Sequence, residues 1–207
     1  MSSSFFPTRA LLWSFWSNIL FIVGMVGYLL MDGFDYKNPN TLSASVTASI
    51  YVILAAIFVV NSAFQLISIY HTHSSANRYY IMVASCLFDT VGSDCYFIGA
   101  LLAAISFKNS NTIWMFNLIG VCGFAIGAAI CMLVRGPSML SSWANIFNLA
   151  GSLLYLVAFF ITLSPLTQII VIIGDFVYLI DSIFYKICWF TDRQLARQGE
   201  QIAIVHK

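Results

Sequence analysis

The sequence predicts an all-α membrane protein: a six-transmembrane-helix bundle built from repeated helix hairpins, forming a single transmembrane domain over residues 1–207. Three observations lead there. Of the 207 residues, 60% are hydrophobic and only 8% charged, against about 25% charged in an ordinary soluble domain. Six apolar stretches are each long enough to cross a hydrocarbon core of roughly 30 Å, which takes about 20 helical residues. Short motifs also recur from one stretch to the next, the mark of a repeated unit.

The first span is placed at about residues 11–31, a run too long for a signal peptide and without a small-residue cleavage site, so it is expected to be retained. "DGFDYKNPNTLSAS", from Asp32, then has the Asp, Gly, Asn and Pro of a solvated turn. The remaining spans fall at about 46–70, 80–106, 112–134, 143–163 and 168–190. Their connections are too short for a folded soluble domain, so function must reside in the bundle, its loops or the tail. A net charge of +1 gives no reason to expect nucleic acid as a partner.

Basic residues near the span ends set the expected orientation. Arg9, Arg78, Arg135, Lys186, Arg193, Arg197 and Lys207 share one side, and Lys37 and Lys108 the other. This bias predicts both termini on the cytoplasmic, or equivalent inner, side. Cys86, Cys95, Cys122, Cys131 and Cys188 all lie in predicted spans, without CxxC or Cys/His ligand spacing. His71, His73 and His206 fall in a loop and the tail, so no intramembrane bis-histidine site is expected, and neither metal nor cofactor is anticipated.

The repeat accounts for many polar positions. "WSNILFIVGMVGYL" from Trp16 and "WANIFNLAGSLLYL" from Trp143 share Trp, Asn, Ile, Gly, Tyr and Leu without a gap. "FDTVGSDCYFI" in the third span aligns with "FNLAGSLLYLV" in the fifth, and "VNSAFQLISIY" echoes "IDSIFYKICWF". A glycine followed four residues later by an aromatic recurs as Gly24/Tyr28, Gly92/Tyr96, Gly120/Phe124, Gly151/Tyr155 and Gly174/Tyr178; the second span has Leu54/Phe58 instead. Residues four apart share a helix face, and glycine admits a neighbouring backbone, so these positions are expected to pack helices, with the aromatic filling the next layer. Gly120, Gly123 and Gly127 in "GVCGFAIGAA" form the strongest such face.

The repeat also sorts the intramembrane acids, each costing about 3 kcal/mol at a bilayer centre. Asp89 takes the place of Asn117 and Asn148, and Asp181 that of Asn61. These five are read as structural, hydrogen bonding between helices. Asp94 and Asp175 have no acidic or amide counterpart and become the candidate ion or proton path. Counting helical rise puts them at similar depths, roughly 20 and 22 Å from the inner ends, so they are expected to approach one another. Lys186, near the inner interface, is expected to snorkel.

The pieces "NLAGSLLYLV", "TVGSDCYFIG" and "VYLIDSIFY" together resemble the hairpin of the YrhK-like membrane proteins, repeated about three times. The resemblance covers about half the chain and implies architecture; it brings no activity or catalytic residues. "IIGDF" and "VGSD" fall short of the G-x-G-D of intramembrane aspartyl proteases, and no phosphate-binding loop, Ser/His/Asp set or zinc spacing occurs. The sequence therefore favours a non-enzymatic structural or accessory subunit, in contact with membrane lipids, that self-associates as a homo-oligomer or joins other membrane subunits. The alternatives are a proton or cation channel or transporter using Asp94 and Asp175, and a lipid- or small-ligand-binding protein.

Overall fold

The computed structural model describes residues 8–39, 41–72, 76–106, 108–133, 139–161 and 164–205. His73, Arg135, His206 and Lys207 lie outside the described residues, as does the side chain of Arg197. The elements are α1 (Thr8–Lys37), α2 (Ala44–Tyr70), α3 (Ala76–Ala104), α4 (Ser110–Cys131), α5 (Met139–Phe160) and α6 (Ser164–Val205). Each is long and apolar enough to cross a membrane, and the protein is an all-α six-helix bundle.

Local chemistry sets the helix ends. The Ser43 hydroxyl accepts from the Val46 amide to open α2, and Asn109 accepts from the amides of Asn111 and Thr112 to open α4, satisfying donors that a helix start leaves free. Pro165 stands in the first turn of α6, where its missing N–H costs nothing. α3 gives way to Ser106, at φ 54°, in the left-handed region where a helix stops.

α1 runs six residues past the last apolar position of its stretch. Polarity alone does not stop a helix, and no strong breaker follows Asp32 until Pro39, so Asp32 and Asp35 are helical rather than part of a turn.

Every helix packs on its neighbours in sequence, and α6 returns to α1, closing a ring. The last junction is tied by the Trp189 indole, which donates to the Leu11 carbonyl at 2.7 Å. α3 and α6 consequently stand on opposite sides. The start of α1 and the end of α6 lie at one end of the ring, called here the terminal end; Lys37 marks the far end.

Packing within sequential helix pairs rests on glycine. A Cβ on Gly123 would lie 2.9 Å from both the Gly92 Cα and the Phe88 carbonyl oxygen, and one on Gly120 would lie 3.0 Å from the Gly92 carbonyl oxygen. These neighbours are backbone atoms, so α3 and α4 can come this close only because the side chains are absent. Elsewhere a ring fills the notch: Tyr178 lies against Gly151, Tyr155 against Gly174 and Phe58 against Gly24. Phe58, Phe124, Tyr155 and Tyr178 thus seat against a glycine of the partner helix rather than filling a layer of their own.

Gly123→Ile should lower thermal stability in detergent by about 3 kcal/mol, the upper range for overpacking. Gly33→Ala, where a Cβ meets nothing within 4 Å, should instead raise it by up to about 1 kcal/mol through helix propensity. Equal melting shifts for the two variants would contradict the packing described.

Candidate functional site

The ring encloses two axial chambers, each lined by residues from all six helices. The terminal chamber, about 310 Å3, is bordered by Ser17, Asn61, Gln65, Asp89, Asn148 and Tyr185 among others. The far chamber, about 660 Å3, is bordered by Asp32, Asp35, Thr47, Tyr51, Asn117 and Gln168 among others. Tyr28, Tyr96, Val121 and Tyr155 border both, so they form the septum between them. The glycine spacing explains why rings meet here. Tyr28, Tyr96 and Tyr155 each follow a glycine by four residues on an odd-numbered helix, one turn nearer the far end.

A pair of carboxyl groups stands beside the septum. Asp32 of α1 accepts a hydrogen bond from the Tyr51 hydroxyl, and Asp175 of α6 accepts one from the Tyr155 hydroxyl. The two carboxyls are within hydrogen-bonding reach of each other. Asp32 borders the far chamber, whereas Asp175 is 0% exposed and its Oδ2 finds no donor among the described residues. The Tyr28 hydroxyl, on a residue only 5% exposed, also lacks a partner there. Its ring lies 5.8 Å from that of Tyr51 and 6.4 Å from that of Tyr96.

The expected approach of Asp94 to Asp175 does not occur. α3 and α6 face each other across the ring, and Asp94 points outward among exposed Val91, Ile98 and Leu101. Helical rise sets depth but not the direction a residue faces, and the neighbour of Asp175 is Asp32, on the helix that closes the ring. Asp32 was missed because the apolar run stops at Met31. A usable signal existed: Gly24, Tyr28 and Asp32 are spaced by four and lie on one face.

The remaining polar positions divide. Asn61 accepts from the Ser17 hydroxyl at 2.6 Å, joining α1 to α2. Asn117 packs against Gly99 and Asp89 against Gly127, while Asn148 borders the terminal chamber. Asp181 departs from its expected interhelical hydrogen bond. It is 0% exposed, and neither carboxyl oxygen has a partner among the described residues. Ala144 occupies in the Trp143 motif the place that Ser17 holds in the Trp16 motif, so the equivalent hydroxyl donor is missing.

Lys186 does not snorkel. Its Nζ is buried 3.4 Å from the Phe15 ring centroid, with Trp189 at 4.9 Å and Phe190 at 5.5 Å. Three ring faces hold the ammonium by cation–π attraction, which strengthens on desolvation. Among the described residues, no group of three or more His, Cys, Asp or Glu is placed to hold a metal ion.

Comparison with protein-family models, curated proteins and solved structures finds no match to this chain.

Removing the Tyr155 hydroxyl leaves a buried carboxyl without its donor, so Tyr155→Phe should destabilise the fold by about 1–3 kcal/mol. Thermal unfolding in detergent measures this, and an unchanged midpoint would refute the contact. Asp94→Leu should add stability in lipid nanodiscs by up to about 3 kcal/mol, the insertion cost of the carboxylate. A drop would mean that the outward Asp94 engages a partner in the bilayer.

Proposed function

We propose that the chain is a membrane transport protein that passes a small solute along the axis of the ring. The observation that carries this reading is the pair of chambers meeting at Tyr28, Tyr96 and Tyr155. Helices associating only for structure have reason to fill their common axis with apolar side chains, since buried polar groups are costly without partners. Here Asp32, Asp89, Asn117, Asn148 and Gln168 border the axial space instead. The septum then acts as the barrier, and the chambers as the approaches from either side. The three sequential hairpins, α1–α2, α3–α4 and α5–α6, are read as one repeated unit that supplies a tyrosine each. The basic residues argue for both termini on the inner side, which places the far chamber outside.

Facing carboxyls also serve aspartic hydrolysis, which needs a water held between them. Asp175 is wholly buried and already engaged by Tyr155 and Asp32, so hydrolysis is the poorer fit. A role as a subunit of a larger membrane assembly draws support from the outward Asp94, whose cost in lipid a neighbouring helix would offset.

Proteoliposomes challenged with gradients of protons, potassium, methylammonium and glycerol should show protein-dependent flux of at least one. Tyr96→Ala, which opens the septum, should increase that flux about tenfold, equivalent to ~1.4 kcal/mol of barrier. No flux above empty vesicles from either protein would overturn the transport reading. For orientation, Lys37→Cys and Gln194→Cys should react with a membrane-impermeant thiol reagent from opposite sides, Lys37→Cys from outside. Labelling of both from one side would refute the topology.

A further inference from the structure

We infer that the terminal chamber is a binding site for a small organic cation, with Asp89 as its counter-charge and a wall of aromatic rings as its seat. It rests on the transport reading for its biological use, while the site stands on its own geometry.

The repeat, followed around the axis, builds the chamber. Phe21, Asp89 and Asn148 each precede a repeat glycine by three residues, on α1, α3 and α5, and all three border the terminal chamber. One position of the unit therefore presents a ring, a carboxyl and an amide to the same space. Phe58, Phe124 and Tyr178 share a second position, four residues after Leu54, Gly120 and Gly174 on α2, α4 and α6, and they border it too. Neighbouring helices run in opposite directions, so both positions lie toward the terminal end of those residues, by about 4.5 and 6 Å of helical rise.

Asp89 is the only carboxyl among the described residues bordering this chamber, and no lysine, arginine or histidine stands with it. Gly127 of α4 gives it room, because a Cβ there would collide with its Oδ1. The hydroxyls one turn away on α3 are committed elsewhere. Ser85 donates to the Gly127 carbonyl at 2.8 Å, and Ser93 to the backbone carbonyl of Asp89 at 2.9 Å. Neither serves the carboxyl. Asp89 is half-buried and borders the chamber, whereas Asp181 is sealed at 0% exposure and does not. An ionised Asp89 therefore has no counter-ion until one enters, and an unpaired charge away from bulk water is costly.

The rings decide between a bare ion and an organic cation. Phe21 meets Phe58 at 5.6 Å and Tyr178 at 6.1 Å between centroids, a continuous aromatic wall over α2, α1 and α6. Such faces attract organic cations and make dispersion contacts with their carbon skeleton. A hard metal cation instead needs about six converging oxygens, and no group of three or more His, Cys, Asp or Glu is placed to hold one among the described residues. A volume of about 310 Å3 is at the lower end for ligand cavities, so the cation is small. Ser68, in the last turn of α2, also borders the chamber, which therefore reaches the terminal end of the bundle.

Titration calorimetry of the full-length protein in detergent, with benzylammonium as the probe, tests the site. Benzyl alcohol has the ring without the charge, and sodium ion the charge without the ring. Each should bind at least about tenfold more weakly than benzylammonium, a loss of ~1.4 kcal/mol. Asp89→Asn installs the amide that the repeat already carries at Asn148, so it should melt near the parent protein. It should still lose at least tenfold in benzylammonium affinity and leave benzyl alcohol unchanged. Asp35→Asn, in the far chamber, should leave both unchanged. No benzylammonium binding, equal affinity for benzyl alcohol or sodium ion, unchanged affinity in Asp89→Asn, or an equal loss in Asp35→Asn would each overturn the inference. If Asp89→Asn does not fold, the three probes on the parent protein decide. Binding without flux in vesicles sinks the transport reading alone; glycerol flux without benzylammonium binding sinks only this one.

Discussion

The close approach of α3 to α4, and the seating of rings in the glycine notches of α1–α2 and α5–α6, is the constraint from which the interior of this protein follows. Lipid tails are as apolar as leucine, so no water exclusion draws these helices together; packing must do so. A helix that accepts its partner's backbone or ring at glycine also fixes which way its own aromatic residue turns. Tyr155 fits against Gly174 while Tyr178 fits against Gly151, and the exchange leaves both hydroxyls toward polar partners, Asp175 and Ser152 respectively. Packing and polarity are therefore set by the same residues.

Six such helices in a ring leave an axis that none of them fills. The outer surface carries large apolar side chains such as Leu30, Ile53, Leu133 and Phe160, and the polar groups turn inward, an inversion of the soluble pattern that follows from lipid replacing water. Within the interior, bonding is uneven. Ser17 with Asn61 and Ser85 with the Gly127 carbonyl tie neighbouring helices through satisfied pairs. The region around Asp175 and Tyr28 retains atoms with no partner among the described residues, and it abuts the larger chamber. Tyr28 borders both chambers, whereas Asp175 and Asp181, whose carboxyls also hold oxygens without partners among the described residues, border neither.

The junction of α1 with α6 has a distinct role. It closes the ring, and it carries three unlike contacts at three depths. At the terminal end Trp189 reaches the Leu11 carbonyl and Lys186 sits against Phe15. Phe21 meets Tyr178 at 6.1 Å between ring centroids in the middle. Toward the far end Asp32 meets Asp175.

The sequence by itself determined that there are six membrane-crossing helices, where glycine recurs, and which polar residues lie within the spans. Each of these depends on composition or on spacing within one helix, and helical periodicity is local. It reached Asp175 as a candidate, and Asn61 as an interhelical bridge, for that reason. Only the tertiary structure decided that Asp175 meets Asp32 and not Asp94, that Asp94 faces out, and that Lys186 is enclosed by rings. In a soluble helix the apolar stripe points to the core, so pattern reveals direction. In a membrane helix the lipid side and the protein side are both apolar, and α2 and α4 show almost no hydrophobic asymmetry. Which face turns inward, and which helix stands across from it, is then set by the order of packing around the ring.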